Sequence, residues 1–360
     1  MYKRDPILVS STSGTYSLKF DQFKFEQKSL NESDYILLDN VFGEIAAIPQ
    51  SEKIIRINSG EDAKSILEVA RVMNSLAELG ANKSSRIIAI GGGTVQDLAT
   101  FVASTYMRGV SWIYFPTTLQ AMADSCVGGK SAINVGTYKN LIGNFHPPHE
   151  VLIDAGLVRT LSSEDVTCGL VESVKIGYAF GGQTAIELLE LIGSHEIDQA
   201  NSSEIYESII EISLQCKKYF VEKDEFDQNI RRKLNFGHTY GHAIEASTDY
   251  QIHHGLAVGL GILASFVHRG NESIVPVEEK LITVIQKLLR PHKHSLLRSI
   301  QLVDRQNFSK FIRLDKKITN SGLRFIHSKN GTLEVVTLPN TEMVLNSAFE
   351  SVLEAANALE

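Results

Sequence analysis

Residues 86–101 read RIIAIGGGTVQDLATF, and their grammar sets the fold. An apolar, β-branched run, Arg86–Ile90, passes straight into Gly91-Gly92-Gly93-Thr94, and a helical pattern follows from Val95. Three glycines between a strand and a helix let backbone N–H groups approach a diphosphate, and the helix N-terminus adds a favourable dipole. The dinucleotide fingerprint G-x-G-x-x-G is not met, because Gln96 stands where its third glycine belongs. The turn taken alone fits a nucleotide site or a plain tight turn equally. Asp97, in the first helical turn, is favourable there through the dipole alone.

Working outward, the same strand grammar recurs at Tyr35–Leu38, Lys53–Ile57, Trp112–Phe115 and Val151–Ile153. Between them Ala63–Leu79 repeats Ile66, Val69, Ala70, Met73 and Leu76 at helical spacing. Strands alternating with helices predict an α/β, Rossmann-like domain with parallel pairing over residues 1–158. From Ser162 the pattern turns helical. Ser162 followed by Asp165 resembles a capping box that opens a helix through Lys175. Further helices are expected over Glu204–Val221, Leu234–Ala246, Leu256–His268, Val277–Leu289 and Thr341–Ala358. One hairpin interrupts them, where Asn330-Gly331 joins Leu323–His327 to Leu333–Leu338. Residues 159–360 are therefore expected to form a mainly α-helical domain, and a cleft between the two domains is the expected place for chemistry.

Composition narrows the partners. The chain has 360 residues, 43% hydrophobic and 21% charged, as in an ordinary globular protein. The N-terminal MYKRDPILVSSTSG lacks the apolar core of a signal peptide. The longest apolar run, Leu256–Val267, falls short of the ~18 residues of a membrane span. Cys126, Cys168 and Cys216 are odd in number and lack CxxC spacing, which points to a reducing cytoplasm and away from a thiolate metal site. A net charge of −7 gives no reason to expect nucleic acid or an acidic membrane as partner.

Residues 231–254, RRKLNFGHTYGHAIEASTDYQIHH, carry the densest chemistry. Arg231, Asn235, His238, His242 and Glu245 would share one face of a continuous helix. A stripe of this kind is ordinarily a solvated face, but two histidines, an arginine and an asparagine in register are costly to bury without a ligand. Thr239 stands where a zinc protease needs glutamate, so that reading fails. His253-His254-Gly255 offers a further imidazole, and Glu172, with Lys175 one turn on, offers a carboxylate or a plain surface ion pair. Two imidazoles and one carboxylate would suit zinc, with positions left open for substrate oxygens.

Together the runs GGGTVQDLATF, STYMRGV, FPTTLQAMADSCVGGKSAIN, KNLIGNFHPP, GLVESVKIG, LNFGHTYGHAIEA and LDKK, in that order, resemble the dehydroquinate synthase family across almost the whole chain. GEDAKS at 60–65 and LLDN at 37–40 fit the family's nucleotide-contacting segments. The resemblance implies NAD contacts at Asp39, Glu61, Lys64, Gly91, Gly92, Gly93, Thr94, Asp97, Thr117, Thr118 and Lys139, with Thr160 on the nicotinamide side. It implies one divalent metal, zinc or cobalt, on Glu172, His238 and His254, the last chosen over His253 because the family ligand precedes a glycine. Substrate and catalysis would use Asp124, Lys130, Asn140, Lys175, Lys217, Arg231, Asn235, His242 and Lys316. Arg108 would reach the phosphate in the neighbouring subunit of a homodimer. Lys130, His242, Lys316 and Arg108 would clamp phosphate, while Lys217 and Arg231 would clamp carboxylate, so a chain of negative net charge would gather cations where an anionic sugar phosphate binds.

The implied reaction is redox-neutral: NAD oxidises a ring hydroxyl, phosphate leaves, the hydride returns, and an intramolecular aldol closes a carbocycle. The sequence departs from the family at Leu256, where H-G-E-A-V is usual, and at Gln96 and Thr100, where glycines are commoner. Three other readings share parts of this pattern. They are a sister sugar phosphate cyclase (amino-dehydroquinate, deoxy-scyllo-inosose or valiolone-type), a metal-dependent dehydrogenase of the glycerol dehydrogenase type, and a ligand-binding paralogue without turnover.

Overall fold

The computed structural model describes residues 4–24, 31–46, 48, 51–58, 60–136, 138–194, 203–270, 272–314 and 322–359. The fold is a mixed α/β sheet domain followed by a largely helical one. Contacts along the chain cluster into two compact units. The first is Met1–Thr160 with Gln199–Ile210 and Lys217–Phe226; the second is Leu161–Asp198, Glu211–Cys216 and Asp227–Glu360.

The first unit contains β1 (Ile7–Ser11), β2 (Gly14–Phe20), β3 (Asp34–Asp39), α1 (Asn40–Ile45), β4 (Ile54–Ile57), α2 (Ile66–Glu78), β5 (Arg86–Gly91), α3 (Gly93–Thr105), β6 (Ser111–Pro116), β7 (Ile133–Val135), β8 (Tyr138–Ile142) and β9 (Glu150–Ile153). Its main sheet runs β1-β2-β9-β6-β5-β3-β4. The strands from β2 to β4 in that order pair in parallel, and β3 and β5 at their centre are apolar and buried almost throughout, as strands covered on both faces are. The edge departs from the expected all-parallel pattern, because β1 and β2 form an antiparallel hairpin. Their inward residues are Ile7, Val9, Tyr16 and Leu18, alternating with exposed ones, and the serines and threonines between them mask that period of two. Ile36, Leu38, Ile54, Ile88 and Ile90 form the core of one sheet face with Phe42 and Ile48, each such burial contributing about 1.5–3 kcal/mol.

The helix expected over 63–79 is divided. Glu61–Lys64 form a separate 3₁₀ turn, and Ser65 then caps α2 by accepting from the Glu68 amide. The buried face of α2 carries Val69, Val72 and Leu76, not Met73.

After these come α4 (Ser163–Phe180), α5 (Gly182–Ser194), α6 (Ser203–Lys223, divided between the units), α7 (His238–Ser247), α8 (His254–His268), α9 (Pro276–Leu289), α10 (Lys293–Gln301), α11 (Arg305–Leu314), β10 (Leu323–Lys329), β11 (Thr332–Leu338) and α12 (Glu342–Asn357). Ser162 Oγ accepts from the Asp165 amide at 3.1 Å and opens α4, which runs on past Lys175 to Phe180. Asn330 and Gly331 both take positive φ (50° and 76°), the backbone that a two-residue hairpin turn requires. Every residue from Gly255 to Phe266 of α8 is buried, so this helix needs partners all round; α4, α7, α9 and α12 supply them. Among the described residues no helix is long and apolar enough to cross a membrane.

Candidate active site

Three helices of the second unit meet at one cluster. Glu172 lies midway along α4, and His238 and His254 are the first residues of α7 and α8. Close packing at glycines sets them there. A Cβ on Gly255 would lie 2.3 Å from the Cα of Cys168, one turn before Glu172, so only glycine lets α8 begin against α4. Gly237 caps α7 with φ +77°, and a Cβ there would meet the Val258 carbonyl oxygen of α8 at 2.7 Å.

In the cluster Glu172 Oε1 lies 3.2 Å from His254 Nε2 and 3.8 Å from His238 Nε2, while Oε2 faces Lys175 Nζ. Glu172 is fully buried and Lys175 2% exposed, which excludes the plain surface ion pair. Ligand atoms of Glu172, His238 and His254 all lie within 4.8 Å of one another. Two imidazole nitrogens and a carboxylate, charge-balanced by a lysine, fit a zinc or cobalt ion chemically. Burial alone would lower the pKa of His254, but the carboxylates of Glu245 and Glu172 outweigh it and raise the value to about 10. His253 stands apart: its ring faces Asp165 at 3.9 Å and its side chain is half exposed. All three cysteines are buried, and burial pushes each thiol up to about 12, so none is a thiolate ligand or nucleophile near neutral pH.

The continuous polar stripe expected from Arg231 to Glu245 does not exist. Ile230–Asn235 form a 3₁₀ turn, and left-handed Gly237 separates that turn from α7. Arg231 is buried and the Asn235 amide donates to the Arg232 carbonyl at 3.2 Å, both on the turn and not on a helical face shared with the histidines. At the break Gly237 packs against α8 so closely that a side chain there would meet the Val258 carbonyl and Ile262. His242 is exposed on α7.

In the first unit a second polar cluster forms around the glycine turn. Lys64 Nζ bridges Asp97 Oδ2 at 2.8 Å, the Asn140 amide oxygen at 3.1 Å and Glu61 at 3.8 Å, and Lys139 faces Glu61 at 3.7 Å. Burial pushes the Asp97 carboxyl up, and Lys64 opposes that shift. Asn134 ties the set together: its amide donates to Glu61 Oε1 at 2.9 Å and its oxygen accepts from the Asn140 amide at 2.8 Å, holding Asn140 at φ +50°. At the turn itself a Cβ on Gly92 would meet Thr118 Cγ2 at 2.9 Å, while the Thr117 amide donates to the Gly91 carbonyl at 3.0 Å. The helix begins at Gly93, with Thr94 in its first turn. Asp39 ends β3 and caps α1 through the Phe42 amide. The Thr160 hydroxyl donates to the Leu157 carbonyl at 2.7 Å.

Lys217 Nζ pairs with the Asp124 carboxylate and also donates to the Asp124 carbonyl, so part of its charge is answered within the protein. Lys130 and Arg108 are exposed, the latter at φ +62° in the turn Tyr106–Arg108. Lys316 lies outside the described residues.

Comparison with known proteins settles the lineage. Models of the N-terminal and C-terminal parts of 3-dehydroquinate synthase match residues 54–168 and 169–318 in succession. A 3-dehydroquinate synthase of Dictyoglomus thermophilum is 39% identical over 288 residues, 79% of each chain. The chain belongs to the 3-dehydroquinate synthase family. Another curated member, from Helicobacter pylori, is 34% identical over 90% of this chain and 92% of its own. A solved 2-deoxy-scyllo-inosose synthase, complexed with carbaglucose-6-phosphate, NAD+ and Co2+, superposes with a TM-score of 0.74 at 22% identity, over 97% of this chain and 99% of that one. That likeness bears on the fold.

Reading this family member by motif alone missed several partners. Tyr114 is fully buried on β6 and donates to the Gly91 and Gly92 carbonyls at 3.0 and 3.1 Å. Gln96, the departure at the glycine turn, donates to the Ser125 carbonyl at 2.6 Å and accepts from its hydroxyl at 2.5 Å. A polar residue in the buried stretch of a helix was the available signal for Gln96; nothing local marked Tyr114 or Asn134.

Proposed function

We propose that the protein is a 3-dehydroquinate synthase, converting 3-deoxy-D-arabino-heptulosonate 7-phosphate into 3-dehydroquinate and phosphate in the cytoplasm. The observation that carries this reading is the convergence of Glu172, His238 and His254 with Lys175, in a chain of a family whose curated members bear that activity as their name. When bound, NAD supplies a reversible hydride acceptor and a zinc or cobalt ion supplies a Lewis acid for the hydroxyl being oxidised.

The chain's own residues supply position, charge and proton handling. Glu172, His238 and His254 hold the ion. Lys175, kept beside Glu172, would exchange a proton with a substrate hydroxyl. Asp39, Glu61, Lys64, Gly91–Gly93, Thr94, Asp97, Thr117, Thr118 and Lys139 would contact the NAD, with Thr160 on its nicotinamide side. Arg231 is the principal partner of the substrate carboxylate, because a planar guanidinium donates to it bidentately. Asn235 supports it, and Lys217 contributes only the charge left beside Asp124. Lys130, His242 and Lys316 take the phosphate and Asn140 orients the ring hydroxyls. Arg108 completes the neighbouring site in a homodimer; its exposed side chain suits that reach. A cytoplasmic location accords with three free, buried thiols.

The test is phosphate release from the seven-carbon sugar acid phosphate with NAD and zinc or cobalt. Phosphate should accumulate while absorbance at the NADH band stays flat. Stoichiometric NADH would move the protein to the dehydrogenases, and equal turnover of sedoheptulose 7-phosphate or glucose 6-phosphate would move it to a sister cyclase.

A further inference from the structure

Glu245 has no role in the reading above. It lies on α7, and its Oε2 stands 3.0 Å from Nδ1 of His254. A carboxylate oxygen can only accept, so His254 Nδ1 carries the proton of that bond. Nε2 faces Glu172 at 3.2 Å, and when a cation displaces the proton from that side the neutral ring keeps its Nδ1–H and turns its lone pair on Nε2 to the cation. His238 follows the same scheme: its Nδ1 is 3.2 Å from the Phe236 carbonyl, which also only accepts, and its Nε2 faces Glu172.

We infer that Glu245 is a positioning residue that fixes His254 as the Nδ1-protonated tautomer and presents Nε2 to the cation shared with Glu172 and His238. The inference rests on the metal reading above. One other arrangement competes with it. His242, Glu245 and His254 also offer ligand atoms within 4.8 Å of one another, but a cation there would use Nδ1 of His254. A neutral imidazole has one lone pair, so the two arrangements exclude each other. The first uses the fully buried Glu172 and leaves each Nδ1 with its acceptor; the second depends on the exposed His242 and turns a ring N–H towards the first cluster. Because α8 continues with buried Leu256, the acid at this nitrogen comes from α7.

Zinc-loaded protein labelled with 15N-histidine gives a direct readout without any substitution. His254 should show a protonated Nδ1 and a metal-bound Nε2; metal on Nδ1 overturns the inference. Affinity for zinc, measured by competition with a chromophoric chelator, gives the second readout. Glu245→Ala should weaken binding about 10–100-fold, and Glu245→Gln should recover most of that because its amide oxygen accepts the same hydrogen bond. Unchanged affinity in Glu245→Ala, or a loss as complete as that of Glu172→Gln, overturns it, the latter by making Glu245 a ligand. If Glu172→Gln binds zinc like the unaltered protein, the metal reading itself falls.

Discussion

Lys175 stands one turn beyond Glu172 on α4 and sets its Nζ against Glu172 Oε2, with both side chains almost wholly out of water. An ion pair at such a place is weak evidence for stability, but removing one member leaves a buried charge uncompensated. Lys175→Met in metal-free protein should therefore lose about 3–5 kcal/mol. Added zinc should restore more stability to the variant than to the unaltered chain, because the cation answers the Glu172 charge. Thermal melts with and without zinc decide it; equal shifts in both proteins would count against the shared cluster.

Gln96 explains one departure from the family. Its two hydrogen bonds to Ser125 join α3 to the residue after Asp124. Gln96→Gly removes both bonds and adds a helix-interior glycine, for an expected loss of about 2–4 kcal/mol in urea unfolding. A loss within experimental error would mean that the clamp is dispensable.

Leu256 is a second departure, on α8. It is 4% exposed on the buried helix α8, and its neighbour Gly255 leaves no room against α4. Leu256→Glu should lower the unfolding free energy by several kcal/mol and not raise turnover, whereas Leu256→Met should cost less than about 1.5 kcal/mol. A folded Leu256→Glu with higher phosphate release would show that an acid beside the metal is tolerated and tunes it.

Tyr240 links two buried histidines: its hydroxyl lies 2.5 Å from His268 Nδ1 and 3.3 Å from His327 Nε2. Burial lowers both histidines to about 4, and His327 is pushed down further by His268 and Arg269 nearby. A pKa depressed from 6.5 to about 4 means that the unfolded chain binds more protons between those values. Their contribution is thus complete above about pH 6.5 and is lost as pH falls towards about 4. Between about pH 7.5 and pH 5 each should remove about 2 kcal/mol, and His327→Gln should flatten that slope. Urea unfolding across the range, with an unchanged slope in the variant, would contradict this assignment.

What the sequence determined alone is what neighbouring residues decide. The runs 86–90 and 35–38 are short apolar stretches, rich in isoleucine and leucine and bounded by polar or glycine residues, a pattern that reads as strand from the local sequence. Ser162 caps α4, and Asn330-Gly331 turns the hairpin, because each satisfies a requirement a few residues long. The order of motifs carried the family. Tertiary structure decided the rest, because those contacts join residues far apart in the chain. At Gly237, packed against α8, the chain breaks into a 3₁₀ turn and a helix, which separates Arg231 and Asn235 from the histidines. Lys217 met Asp124 from 93 residues away. Glu172 became a buried acid and Glu245 the partner of His254, pairings that helical spacing cannot specify, since it relates residues along one helix and says nothing of the helix packed beside it.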